Sequence, residues 1–403
     1  MALTPLTEAR AQILAQTPAP PATECITLQE CLGRILSENV VASRDVPPFD
    51  NSAMDGYAVQ YSDLPGAVSV AQRIPAGRSA DALEPGTAAR IFTGAVLPSG
   101  ADTVVMQENA LEQGGVVTVT EMPTAGANIR RRGIDISIGD TVLRAGQLLM
   151  PQDLGLAASV GRHELSVYRP LRVAVITTGD ELVDPGREPE AWQIFNSNAT
   201  QLCSQIRMLG MEPLHYPNVP DDPKLTGETL ESAAKSADCI ITSGGVSVGE
   251  EDHVRAQIEQ RGTLSLWKLA LKPGKPFAFG AVAGCPIFGL PGNPVSSWVT
   301  FGLLVKPWLL AAQGAKVPEL RRLKAVAAFS RPRPGTREEY LRVVLDSQSV
   351  PVANLAGDQS SGVLSSAGRA SALAVIPAGI TLSEGDALDV ILVSDFLSPA
   401  STL

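Results

Sequence analysis

The sequence predicts a multidomain α/β and β protein: a doubly wound α/β domain, a β domain inserted into a discontinuous N-terminal domain, and a β-rich C-terminal domain. Three observations lead there. Strand-like apolar runs alternate with helical stretches from Arg172 to Gly314, as in a doubly wound parallel sheet. Between about Val46 and Asp135 the chain breaks into short strands punctuated by glycine and proline, and a helical pattern follows. Residues 315–403 return to period-two alternation, the mark of a small barrel or sandwich. A length of 403 residues suits this division, since one domain takes about 150 residues.

Taken in order, residues 6–16 place Ala9, Ile13 and Leu14 at helical spacing, with Thr4 as a cap and PAPPAT as the stop. Residues 86–92, 101–107 and 115–119 are expected as strands and 151–159 as a helix that resumes the N-terminal domain. RVAVIT at 172–177 is a continuous apolar run ending in polar and glycine residues, the pattern of a buried parallel strand before a functional loop. Helices over 197–209 and 224–236 alternate with strands at 212–216 and 238–242. Strands at 264–270, 277–280 and 287–290 precede an apolar helix over 295–312, where Pro307 predicts a kink. The C-terminal strands are expected at 323–329, 339–345, 372–376 and 387–393.

Composition excludes several classes. Hydrophobic residues make up 44% and aromatics only 4%, enough for aliphatic cores and too apolar for a disordered chain. A net charge of -10 argues against a nucleic-acid partner, which selects a basic surface. The five cysteines have no CxxC or CxxH spacing, so neither a disulfide framework nor a zinc site is expected, and a reducing cytoplasmic setting fits. The stretch MALTPLTEARAQILAQ lacks the basic flank and apolar core of a signal peptide, and no membrane span is expected.

The richest constellation is TSGGVSVGEEDH at 242–253, after an expected buried strand and before an expected helix. Gly244, Gly245 and Gly249 let backbone N–H groups approach a phosphate, and Ser243 and Ser247 offer hydroxyl donors; the alternative is a plain glycine turn closed by an Asp cap. Acidic groups follow three expected strands: Asp180-Glu181 in TTGDEL, Asp221-Asp222 in VPDDP, and Asp252. Together they suit Mg²⁺ bridging to a substrate phosphate; singly, each is equally a helix cap. Lys268, Lys272 and Lys275 in WKLALKPGKP form an anion clamp if the Pro273-Gly274 turn brings them together, or solvated lysines on an edge strand if not. Pro291, Gly292, Asn293 and Pro294 make a rigid turn whose following helix offers its N-terminus to an anion, or simply connects strand to helix. In the inserted domain, PPFDNSAMDGYAV holds Asp55 among ordinary turn formers, and Arg130 to Arg132 read as either an anion site or a solvated basic turn. His163, His215 and His253 share no metal-ligand pattern.

Seven motifs in order, PPFDNSAMDGYAV, RIFTGAVLPSGADTVVMQE, NIRRRGIDI, TTGDEL, TSGGVSVGEEDH, WKLALKPGKPFAFG and GLPGNPVSS, give the chain a resemblance over nearly its whole length to the molybdopterin molybdenumtransferases, the MoeA and gephyrin E-domain family. The resemblance implies a discontinuous N-terminal domain at 1–45 and 136–168, an inserted β domain at 46–135, a molybdopterin-binding α/β domain at 169–314 and a C-terminal β-barrel at 315–403, assembled as a homodimer. It implies molybdenum insertion from molybdate into adenylylated molybdopterin with release of AMP, assisted by Mg²⁺. Glu181, Asp221 and Asp252 then stand on the metal side, and Lys268, Lys272 and Lys275 on the substrate and oxyanion side. Asp55, Thr93 and Asp135 fall in family motifs of the β domain, which faces the partner's α/β domain, and Arg342 and Ser361 complete the oxyanion pocket. The stretch QSSG at 359–362 departs from the family pattern. A transient contact with the molybdopterin adenylyltransferase is a further expected partnership. Two other functions compete: that adenylyltransferase activity itself, which the extra β domains disfavour, and a non-catalytic molybdopterin-binding scaffold, which the intact acidic and lysine motifs disfavour.

Overall fold

The computed structural model describes residues 3–246, 253–317 and 319–398. Thr23–Thr27 pairs antiparallel with Glu164–Tyr168, and Val40–Val41 with Thr141–Leu143, so the N-terminal unit is built from two separated stretches of chain. Leu36, Leu143, Leu149, Ala157 and Val167 fill its core. The helix Leu6–Leu14 departs from that unit. Its Ala9 and Ile13 pack in the same apolar cluster as Val173 and Trp308, against the α/β domain.

The insertion leaves and re-enters at neighbouring points, for Val46 and Ile136 form an antiparallel bridge. Between them six strands run in the order Thr103–Met106, Gly56–Val59, Thr87–Ile91, Val68–Ile74, Val116–Val119, Ala110–Gln113. The basic turn is tied internally. Arg131 pairs with Asp50 and Arg132 with Asp45, which favours structural ties over an anion site there.

The α/β sheet has the order Glu212–His215, Arg172–Thr177, Cys239–Ser243, Cys285–Leu290, Ala278–Val282, Gly262–Trp267. The first four strands are parallel as expected; Ala278–Val282 runs against them and pairs antiparallel on both sides, so the sheet is mixed rather than wholly parallel. The cause is chain length: Ala283 and Gly284 alone join two of the strands, whereas a parallel crossover needs about a dozen residues. Alternation along the first strand divides the core. Val173 and Val175 face Leu202, Ile206 and Trp308, while Ala174 and Ile176 face Leu230, Val254 and Ile258.

The long apolar helix runs as Pro294–Thr300, a wider π-helical stretch Phe301–Val305, and Lys306–Ala312. The irregularity lies just before Pro307 rather than at it, since proline offers no N–H to the preceding turn and the chain widens there. By length and composition this helix could cross a membrane, but 94% of its apolar window is buried within the chain, which makes it a core element. Lys306 is buried and donates to the carbonyls of Asp395 and Phe396, fastening the C-terminal helix Val393–Leu397.

At the C-terminus Glu338–Leu345, Val352–Leu355, Leu323–Ala327, Ala387–Leu392 and Ala372–Ile376 pair in that cycle and close on the first, forming a barrel. The short strand Leu271–Lys272 adds to its rim beside Glu338 and Glu339, so the α/β domain and the barrel share backbone hydrogen bonding. All five cysteines are free thiols, four of them buried.

Candidate active site

The strand ends of the α/β sheet and one barrel loop enclose an open cleft of ≈ 680 Å³, the size of a nucleotide-like or cofactor-like ligand. Its walls are the segments that follow three adjacent parallel strands, at 178–182, 243–246 and 291–296, with Asp221 from a fourth strand end and Gly362 and Leu364 from the barrel. This is the carboxyl edge, where open α/β sheets bind ligands. Gly244 and Gly245 have positive φ of +99° and +66°, and a Cβ on Gly244 would stand 2.7 Å from the Thr178 carbonyl. Two strand ends approach there more closely than a side chain permits.

Ser243 behaves differently from expectation. It is buried, its hydroxyl donates to the Pro291 carbonyl at 3.2 Å, and it accepts from Asn198 Nδ2 at 2.8 Å. Its proton is therefore spent inside the wall rather than offered to a phosphate. Asn198 also donates to the Gly292 carbonyl at 2.7 Å and so locks the two glycine loops together. Pro291, Gly292, Asn293 and Pro294 line the cleft as expected. The Val295 amide, in the first turn of the helix that follows them, donates to the Ser361 carbonyl at 3.1 Å, so Ser361 contributes a backbone strut at this wall.

Glu181 and Asp221 both line the cleft, and the Asp180 and Asp221 carboxylates accept from each other's backbone amides at 3.1 and 3.3 Å. Ser247, Gly249 and Asp252 lie outside the described residues.

The three lysines do not converge on one point of the cleft wall; of their segment only Pro276 lines it. Lys275 is exposed, Lys268 sits in a left-handed conformation at φ 65°, and Lys272 donates to Glu339 at 2.8 Å. Pairing of Leu271–Lys272 with the barrel fixes this arrangement. Arg342 departs further from expectation. Its side chain is wholly buried, donating to Ser366 Oγ at 3.0 Å and to the carbonyls of Asp358 and Ser360 at 3.1 and 3.0 Å. It moors the 358–361 loop from behind and presents no guanidinium to an oxyanion. Burial pushes its pKa below the usual arginine range, against the pull of Asp358.

Comparison with known proteins decides the affiliation. Residues 4–161 match the MoeA N-terminal region (domain I and II), 174–311 a probable molybdopterin binding domain, and 324–393 the MoeA C-terminal region (domain IV). The chain is 44% identical over 315 residues to the molybdopterin molybdenumtransferase of Haemophilus influenzae, covering 77% of this chain and 78% of that one. The chain belongs to the molybdopterin molybdenumtransferase (MoeA) family. Molybdopterin molybdenumtransferase 2 of Mycobacterium tuberculosis is 41% identical over 341 residues, 80% of this chain and 84% of its own. The crystal structure of the molybdopterin biosynthesis MoeA protein of Pyrococcus horikoshii superposes with a TM-score of 0.84 at 29% identity, covering 97% of this chain and all of that one.

Within this MoeA fold, the β-domain residues singled out by motif lie away from the cleft of their own chain, whose lining runs from Thr178 to Leu364. Asp55 and Thr93 meet: the Thr93 amide and hydroxyl each donate to Asp55 Oδ1 at 2.8 Å. Those two hydrogen bonds, with help from Arg90, hold the Asp55 carboxyl below the usual carboxylate range. Asp135 is exposed on the turn that follows Arg132. The donor set of the cleft suits Mg²⁺ to the extent that two hard carboxylates, Glu181 and Asp221, share it, and Mg²⁺ commonly takes one or two carboxylates with waters and phosphate oxygens. Among the described residues no three His, Cys, Asp or Glu side chains gather as a metal-holding group. Sequence reasoning missed Asn198 and Glu339. The first stands in a polar NSN run at a helix start facing strand ends; the second carried no local signal, because its partners are 67 and 8 residues away.

Proposed function

We propose that the chain transfers molybdenum from molybdate to adenylylated molybdopterin and releases AMP, as a step in molybdenum cofactor biosynthesis. The observation that carries this is the single cleft in which the Gly244-Gly245 loop, the Pro291 to Pro294 turn, and the carboxylates of Glu181 and Asp221 face one another. The glycines let two strand ends close into one compact wall, with the Gly244 amide donating to the Leu290 carbonyl at 3.2 Å, and the helix that opens at Pro294 turns its N-terminus toward the cleft, where it would favour a phosphate opposite the carboxylates. Glu181 and Asp221 would hold Mg²⁺, which supplies charge neutralisation as that anhydride is cleaved. Exposed Lys275, on the turn that follows the rim strand Leu271–Lys272, would supply mobile positive charge for the incoming oxyanion. No covalent protein intermediate is called for.

A homodimer completes the reading. An apolar groove of ≈ 720 Å³ beside the cleft is bounded by Phe195, Met208, Trp298, Leu364 and Leu397, of which Phe195 and Met208 are exposed. A second copy seated there would sit next to the cleft, with Asp55, Thr93 and Asp135 of its β domain available to face it. The test is AMP release from adenylylated molybdopterin by purified protein with Mg²⁺, with and without molybdate. Molybdate-dependent release is expected, with Asp221→Asn lowering it at least about 100-fold by removing a metal-side charge. ATP-dependent formation of the adenylylated compound, indifferent to molybdate, would instead identify an adenylyltransferase.

A further inference from the structure

Lys272 is half out in solvent, with a side-chain exposure of 46%, while the carboxylate it pairs with, Glu339, is 7% exposed. The second oxygen of Glu339 is not idle, because it accepts from Arg331 Nη2. A nearly buried carboxylate thus carries two cations from different segments. Its surroundings are fixed by backbone: Leu271–Lys272 lies parallel to Glu338 and Glu339, and Arg337 Nη1 donates to the Leu271 carbonyl at 3.0 Å. Four residues beyond Lys272, Pro276 enters the cleft wall.

The two cations differ in kind. A buried carboxylate strongly resists losing its only counter-charge, since the charge left behind is desolvated and uncompensated. With Arg331 in place Glu339 stays compensated when Lys272 departs. A lysine is also the natural mobile member: a point charge on a flexible four-carbon stem, against the planar fork of arginine.

We propose, on the basis of the transferase reading above, that Glu339 is a positioning residue that holds Lys272 in reserve. The ammonium rests on Glu339 until a tetrahedral oxyanion dianion enters the cleft, then exchanges onto it, while Arg331 retains the carboxylate. Glu339 and Arg331 therefore set oxyanion affinity in opposite directions without touching the oxyanion. No bond is made or broken in the exchange.

The experiment measures KM for molybdate and kcat for AMP release in wild type, Glu339→Gln and Arg331→Gln, with melting temperatures alongside. Glu339→Gln removes the competitor for Lys272 and is expected to lower the molybdate KM about 3- to 10-fold. Arg331→Gln leaves Lys272 as the main counter-charge and is expected to raise it by a similar factor, about 3- to 10-fold, with kcat little changed and Arg331→Lys restoring it. A purely structural triad lowers both melting temperatures and leaves KM alone. Equal or same-signed KM shifts overturn the exchange. If Glu339→Gln does not fold, Arg331→Gln decides alone, an unchanged or lower KM overturning the proposal. Wild-type protein that releases no AMP overturns the transferase reading itself and the exchange with it, which separates the two failures.

Discussion

At the residue scale, the chemistry of several side chains depends on partners that arrive from distant segments. Lys306 is the clearest case. Burial, opposed by Asp395 and assisted by Arg10, lowers its pKa to about 8 from the 10.5 of a free lysine. Below about pH 8 folded and unfolded chains both carry the proton; between about 8 and 10.5 the unfolded chain binds it and the folded chain does not, so stability rises with pH across that window. The gain is of order 3 kcal/mol at most. Denaturant titrations of wild type and Lys306→Met across pH 7–11 should show a wild-type rise that the variant lacks; parallel curves would refute it. Ser243 shows the limit of reading residue types: a serine after a strand announces a hydroxyl, but its proton goes to Pro291, 48 residues away. Arg342 repeats the lesson, since an arginine in a plausible motif turned out to hold a loop.

At the element scale, strands and helices were largely legible because period-two and 3.6 patterns are local. The expected helix at residues 151–159 coincides with Pro151–Ser159, and RVAVIT with Arg172–Thr177. The strand Val352–Leu355, which bridges two others to close the barrel, was not foreseen: four residues with an exposed end, VANL, carry too little pattern to stand out. The antiparallel edge of the α/β sheet was readable in principle, from a two-residue connection, but Ala283-Gly284 is not one of the strong hairpin signatures. The loop at 358–361 is held by the buried Arg342 side chain and by Gln359, whose amide bonds the Arg342 backbone on both sides. Arg342→Met should cost about 3 kcal/mol in thermal or chemical unfolding, by leaving Ser366 and two carbonyls without their donor. It should also weaken oxyanion use, because the Ser361 strut on Val295 goes with the loop.

For the whole molecule, seven ordered motifs identified the four-part architecture although most of them are individually ambiguous. The placement of the lysines, by contrast, follows from how the barrel rim captures Leu271–Lys272, a contact between domains that no single motif encodes. The proposed dimer belongs to this scale too. Met208→Glu, on the groove beside the cleft, should convert a dimeric wild type to monomer by sedimentation velocity and reduce AMP release while leaving the monomer's fold intact. A variant that remains dimeric would place the interface elsewhere.

The bridge between Val46 and Ile136 means that the chain enters and leaves the inserted domain through one doorway two strands wide. Seen from the host unit, the ninety residues beyond it are an appendage on a hairpin, so a two- or three-residue turn could close the doorway without cutting any host pairing. The architecture is therefore separable by design. Ligand-binding cleft and inserted module can diverge, be exchanged or be lost at different rates, and the cost of such an exchange falls outside the folding of the host unit.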